Sequence, residues 1–255
     1  MKTLRILTAA LVMPILVIAL MAAAPIHWGV TPNTKEQTPQ IPKGAQELLT
    51  KHNGIFVGDT TKKEIFLTFD LGYEAGFTAE VLDILKEHNI KGNFFLCGNY
   101  IKEKDLIMRM INEGHIIGNH TDKHKELPTL SEEAIRKDIN DFTEKFNAAF
   151  ADSELGGVAP IEMKHFRPGK GRFDERTIRI ANELNLKTVM WSIAIVDWAK
   201  TAIPVKPAVD KVVSRLHPGA IALFHITNSS MPDIIRGVIA GAIEKGYAFG
   251  DATAL

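Results

Sequence analysis

The stretch Glu64-Ile-Phe-Leu-Thr-Phe-Asp-Leu-Gly-Tyr-Glu74 decides how this chain is read. From Ile65 to Phe69 it is apolar and β-branched, the composition of a buried strand. The run stops at Asp70, and Gly72 then permits a sharp turn. A carboxylate at the end of a buried strand is costly unless something pairs with it. Asp70 is therefore either a structural ion-pair partner or a working group, and the rest of the chain decides between the two.

Working outward, the spacing predicts a helix over 78–88, with Thr78 as its N-cap and Val81, Leu82 and Leu85 buried. A strand over 93–97 follows, then a helix around Leu106, Ile107, Met110 and Ile111 that Gly114 stops. The strand 115–118 delivers His120, and Ser131 caps a helix carrying Ile135, Ile139, Phe142 and Phe146. An irregular stretch with Gly156, Gly157 and Pro160 leads into the short run 163–166, which delivers Arg167. Asp174 caps a helix with Ile178, Ala181 and Leu184, and 187–192 reads as a strand. A helix over 207–216 ends at Pro218-Gly219, and the strand 220–224 delivers His225. Pro232 opens a last helix, and a short strand lies near 247–249. Strand and helix thus alternate about seven times, which implies an α/β protein with a parallel sheet, either open and doubly wound or closed as a (β/α) barrel. Both architectures place functional groups at the carboxyl ends of strands.

The 255 residues suit one large domain or two small ones, and 30 basic side chains balance 30 acidic ones, which argues against an electrostatic nucleic-acid binder. Residues 1–24 stand apart: Lys2 and Arg5 precede an apolar run, the pattern of a signal peptide or an N-terminal membrane anchor. Pro25 directly after Ala22-Ala23-Ala24 leaves both forms open, and either one exports the body of the protein. Residues 25–45, rich in Pro, Thr, Gln and Lys, read as a linker, although Ile26-His27-Trp28-Gly29-Val30 is apolar enough to pack somewhere. The remaining domain spans 46–255. The single cysteine, Cys97, excludes an intrachain disulfide and reads as a small buried side chain; a thiol nucleophile there lacks an obvious activating setting.

The polar groups fall at matching points. Asp70, His120, Arg167 and His225 each follow an apolar strand, and Asp197-Trp198 comes soon after another. In a parallel barrel they share one rim, which scattered structural residues have no reason to do. His120 and His124, four apart, can reach one metal ion from a helical turn or a tight loop, or they are two surface histidines. The Arg167-Pro168-Gly169-Lys170-Gly171 turn can aim a guanidinium at a carboxylate and expose backbone N–H groups.

Together these segments resemble the polysaccharide deacetylase (NodB-homology) family, over about residues 54–255. Within it the chain is most similar to the peptidoglycan N-acetylmuramic acid deacetylases, also called delta-lactam-biosynthetic de-N-acetylases, of spore-forming bacteria. The resemblance is carried by Thr68-Phe69-Asp70-x-Gly72-Tyr73-Glu74, by Gly114-His115-Ile116-Ile117-Gly118-Asn119-His120, by Val196-Asp197-Trp198, by His217-Pro218-Gly219-Ala220-Ile221 and by His27-Trp28-Gly29. It implies a distorted (β/α) barrel with about seven strands and hydrolysis of a sugar N-acetyl group in peptidoglycan glycan strands. It further implies that Asp70 is the general base, Arg167 its partner, His225 the general acid with Asp197 behind it, and His120 and His124 metal ligands. The Lys170 N–H would hold the oxyanion, Trp198 and Leu223 would line the acetyl pocket, and Tyr73 belongs to the substrate-binding set. The implied cofactor is a divalent metal, with zinc expected, and a monomer at the cell wall or spore envelope is expected.

Two positions depart from the family pattern. The residue after the base is usually a metal-ligating Asp, or Asn in the muramic-acid branch, whereas here it is Leu71. Two protein ligands then remain where catalytic zinc sites usually have three. The alternatives are weak metal binding completed by water, Asp70 or substrate, a metal-free enzyme, or a non-catalytic glycan binder. A metal-free enzyme carries a penalty, since water bound to zinc ionises far more readily than bulk water. A deacetylase for chitin-like oligosaccharides is a further alternative. Gly169 also stands where the family more often has a second Pro.

Overall fold

A computed structural model describes residues 24–151, 161–198 and 201–255. The proposed signal or anchor segment and the Gly156, Gly157 and Pro160 stretch lie outside the described residues. Among the described residues no helix is long and apolar enough to cross a membrane.

In chain order the elements are β1 (Ile26–His27), α1 (Ala45–Lys51), β2 (Glu64–Leu71), α2 (Thr78–Glu87), β3 (Asn93–Leu96), α3 (Lys104–Asn112), β4 (Ile116–Asn119) and α4 (Glu132–Phe150). There follow β5 (His165–Phe166), β6 (Arg172–Phe173), α5 (Glu175–Glu183), β7 (Lys187–Thr188), β8 (Ile193–Ala194), α6 (Val205–Val213), β9 (Ala220–Phe224), α7 (Met231–Glu244) and β10 (Ala248–Phe249). The main sheet runs β7-β5-β4-β3-β2-β9-β8, all parallel, and β10 pairs with β2 before the register where β3 begins. This is a curled, distorted barrel. One stretch of chain serves both ends of it: Lys187–Thr188 flank β5, and a few residues on Ile193–Ala194 flank β9.

Strand alternation sorts the side chains into two layers. Ile65, Leu67, Phe69 and Leu71 of β2, with Phe94 and Leu96 of β3 and Ala220, Ala222 and Phe224 of β9, pack outward against the helices. Phe66, Phe95 and Ile221, of the opposite parity, fill the inside of the curl. Thr68, Asp70, Cys97, Leu223 and His225 share that inner parity. The barrel is therefore packed at its base, and its polar groups collect at the carboxyl rim, as in other parallel barrels.

The helix ends follow local chemistry. The Ser131 hydroxyl accepts from the Ala134 N–H, and Asp174 closes a capping box with Thr177. Thr78 differs from the expectation: it is the first helical residue, not the cap. The Glu74 carboxylate takes the cap's place by accepting from the backbone N–H groups of Gly76 and Thr78 and from the Tyr100 hydroxyl at 2.7 Å.

The stretch read as a linker, 25–45, is tied down at its start. β1 pairs antiparallel with β6, and Trp28 packs edge-on against Phe56 and Trp191. The Trp28 indole N–H donates to the Trp191 carbonyl at 3.0 Å. Trp28 thus lies in a second small core with Leu49, Phe173 and Ile178. Trp28→Ala is expected to destabilise the domain by about 3 kcal/mol in denaturant unfolding; a free tether would leave the unfolding curve unchanged.

Candidate active site

Asp70 ends the buried face of β2, and its carboxylate is held from two sides. The Arg167 Nη1 donates to Asp70 Oδ1 at 2.8 Å, and His120 Nε2 stands 3.4 Å from Oδ2. Arg167 is fully buried. It spends its other N–H groups on the Thr68 hydroxyl and the Val189 and Met190 carbonyls, and it lies 4.0 Å from the Phe95 ring centre. Burial pushes the Asp70 carboxyl up, but Arg167, His120 and His225 together outweigh it and hold the group below the usual carboxylate range. Asp70 is ionised and fixed in direction.

His225 follows β9, one residue beyond the Phe69–Phe224 pair that joins β9 to β2. Its Nδ1–H donates to Asp197 Oδ1 at 2.8 Å, and its backbone N–H donates to Asp197 Oδ2 at 2.7 Å. Burial pulls the imidazole down, but the Asp197 hydrogen bond and charge win and raise its pKa above the ordinary value. Asp197 is itself fully buried, with its carbonyl accepting from Thr227 and Asn228. With Nδ1 committed, Nε2 is the nitrogen left for the cavity.

Asp70, His120, His124, Lys170, Trp198, Leu223, His225 and Tyr73 all line one open cavity of about 650 Å³. Arg167 and Asp197 lie behind this wall, each bonded to the group it supports. Trp198 and Tyr73 are exposed at the mouth, and Trp198 meets His225 edge-on at 6.1 Å. Lys170 holds a left-handed backbone with φ of 59°, and its ammonium pairs with Glu126 at 3.1 Å.

His120 and His124 come together in a tight loop, not on a helical turn, with ring centres 5.0 Å apart. Thr121 and His124 both take positive φ, 70° and 52°. The loop is held by the Thr121 N–H donating to Asn119 Oδ1 and by the His124 N–H donating to the Thr121 hydroxyl. The His120 Nδ1–H donates to the Arg167 carbonyl at 2.8 Å. A neutral His120 therefore presents the Nε2 lone pair toward the Asp70 carboxylate, 3.4 Å away, a pairing that a shared cation would relieve. That arrangement fits a divalent metal. Burial acts first on His120 and holds its pKa down, which keeps the ring neutral as a ligand must be.

Reading by composition missed one residue. The Cys97 sulfur and the ligand nitrogens of His120 and His124 all lie within 4.8 Å of one another. Cys97 is buried as expected, but it lines the cavity and does not merely fill the core. Its parity with the inward-facing Phe95 was the available signal. Burial, followed by the charges of Asp70, Asp138 and Asp122, pushes the free thiol far above its usual range, which argues against a nucleophile.

The polysaccharide deacetylase profile matches residues 57–189. The chain belongs to that family. It is 34% identical over 227 residues to a peptidoglycan-N-acetylmuramic acid deacetylase of Bacillus subtilis, an alignment covering 88% of this chain and 83% of the relative. It is 37% identical over 178 residues to a peptidoglycan-N-acetylglucosamine deacetylase of Bacillus cereus, covering 69% and 61%. The solved structure of a family 4 carbohydrate esterase from Bacillus subtilis superposes with a TM-score of 0.81, covering 91% of this chain and 96% of that one. The protein is thus a carbohydrate deacetylase with the curled parallel half-barrel of its family.

The buried ion pair is open to test by unfolding. Asp70→Ala leaves Arg167 buried without its carboxylate and is expected to cost about 3–5 kcal/mol. Adding Arg167→Met to that variant should recover a large part of the loss, because no charge is then left unpaired. Denaturant unfolding of the three proteins measures it, and equal stability of wild type and Asp70→Ala would show that the pair does not hold the fold.

Proposed function

We propose that the protein removes the N-acetyl group from N-acetylmuramic acid residues of peptidoglycan, at the cell wall or spore envelope, as an exported protein. The observation that carries this reading is the placement of Asp70 and His225 on neighbouring strand ends, facing one cavity, each with its own buried charged partner.

Amide hydrolysis needs a water deprotonated, a tetrahedral oxyanion stabilised and an amine protonated. Asp70 takes the proton from water, and Arg167 keeps it ionised and aimed. The Lys170 backbone N–H faces the developing oxyanion. Leu223 and Trp198 enclose the acetyl methyl group, and Tyr73 adds to the sugar-facing wall. His225, protonated at Nε2 and backed by Asp197, gives its proton to the departing amine. A base and an acid of separated pKa coexist because one is a carboxylate beside a guanidinium and the other an imidazole beside a carboxylate. His120 and His124 would hold a divalent metal, which would supply Lewis-acid charge to the water and the acetyl group. The products are acetate and a free amine. On muramic acid that amine can close a lactam with the lactyl carboxyl.

The likeness to the Bacillus subtilis relative supports muramic acid as the acceptor sugar. Leu71, which lacks a donor atom, favours a second reading in which the cavity binds glycan without turnover. Acetate release from purified peptidoglycan, measured beside glycan binding, separates the two. Wild type is expected to release acetate from strands containing muramic acid and not from N-acetylglucosamine oligomers, and Asp70→Asn to bind strands and release none. Binding without acetate from wild type under every metal condition would establish the second reading.

The acid carries its own pH signature. His225 must be protonated to act, so the rate is expected to fall as pH rises through its elevated pKa. Asp197→Asn removes the charge that raises it. The alkaline limb of kcat/KM should then move to lower pH, with a loss of roughly 10²–10⁴-fold in rate. An unmoved limb would assign the proton donor elsewhere.

A further inference from the structure

We infer that Cys97 is the third protein ligand of the metal site, filling from the neighbouring strand the coordination place that Leu71 leaves without a donor. The inference rests on reading His120 and His124 as metal ligands, and it extends that reading to the ligand set and to the class of metal taken.

Strand register makes the exchange possible. β2 and β3 run parallel with Leu71 opposite Leu96, and the Cys97 N–H donates to the Leu71 carbonyl at 2.9 Å. Leu71 and Leu96 both belong to the main core, 2% and 0% exposed, and Leu71 also borders the cavity. Cys97, one residue on, has the parity of Phe95 and turns into the cavity. The donor missing from β2 is thus replaced on the adjacent strand, one position further toward the rim.

The surrounding backbone is shaped to bring this donor to the histidines. The Gly98 N–H donates to the Thr121 carbonyl at 3.2 Å, which sets the chain after Cys97 directly against the histidine loop. A Cβ at Gly98 would lie 2.1 Å from Asp122 Oδ1 and 2.7 Å from the Asp122 carbonyl, so only glycine allows the approach. On the other side, left-handed backbone at the β-branched Thr121 turns the loop so that His124 joins His120. Strain of this kind is kept where a site is being assembled. Among the described residues no other group of three or more histidine, cysteine, aspartate or glutamate donors is gathered this closely. Asp70 lies outside the group of three, with its Oδ2 3.4 Å from His120 Nε2.

Two imidazoles and one thiolate with an open fourth position form a three-ligand catalytic site. A thiolate is a softer donor than the carboxylate it replaces, so the site should favour zinc or cobalt over magnesium, calcium or manganese. Binding converts Cys–SH and a divalent cation into a Cys–S–metal bond and one proton released to solvent, with no change of oxidation state.

The test is cobalt(II) titration of the metal-free protein. Wild type is expected to develop a near-ultraviolet thiolate-to-cobalt charge-transfer band that saturates at one equivalent. Cys97→Ala and the near-isosteric Cys97→Ser should lack the band while keeping the circular dichroism of the metal-free fold. Competition with a chelator should show zinc affinity reduced at least tenfold to a hundredfold in both variants, since second-shell changes alone cost that much. A wild-type cobalt complex without the band, failure of wild type to bind cobalt, or a Cys97→Ala variant that holds zinc as tightly as wild type would each overturn the assignment. Acetate release, measured on the same preparations, keeps the two readings apart. The band without acetate leaves the ligand assignment standing and removes the deacetylase reading. Metal-dependent acetate without the band does the reverse.

Discussion

A guanidinium with no exposed surface, facing a carboxylate across 2.8 Å, is the contact on which the rest of this molecule depends. Arg167 reaches β2 through Asp70 and Thr68, reaches the 187–194 stretch through the Val189 and Met190 carbonyls, and lies against Phe95 of β3. Removing one member of such a pair strands a charge in low dielectric, which is far more costly than lacking the pair altogether. The cation inside the barrel can therefore be tolerated only if the Asp70 carboxylate faces it. One contact thus serves both the fold and the orientation of the Asp70 carboxylate in the cavity.

The acid side repeats the logic with the signs exchanged. There the carboxylate of Asp197 is fully buried and the cavity-facing group is the imidazole. Each reactive group is half of a charge pair whose other half has no access to solvent. Cys97, His120 and His124, a group that could hold a metal, follow β3 and β4, beside Asp70 and across β2 from His225 after β9. Leu71, beside them on β2, takes part in neither charge pair.

Much of this was legible in the residues. Apolar runs of strand length ending in Asp70, His120, Arg167 and His225 announced a parallel sheet and its working rim, because burial on both faces leaves a continuous hydrophobic signature. Ser131 and Asp174 announced their helices because capping is a local interaction. What escaped had long-range or ambiguous causes. β1 has two residues and pairs with β6 from far along the chain, so nothing local distinguishes it from a tether. Thr78 has the chemistry of a cap, but Glu74 does the work, since its carboxylate also had the buried Tyr100 hydroxyl to satisfy. Cys97 in an apolar run looks like filler, and only its alternation with Phe95 shows which way it points.

The double use of the 187–194 stretch has a mechanical meaning. The Val189 N–H donates to the Phe166 carbonyl on one flank, and the Ser192 N–H donates to the Ile221 carbonyl on the other. Prying the wall apart would rupture ladders at two places joined by only a few bonds of chain, so the bowl resists breathing. Access to the cavity is then set at its mouth, where Trp198 and Tyr73 stand exposed.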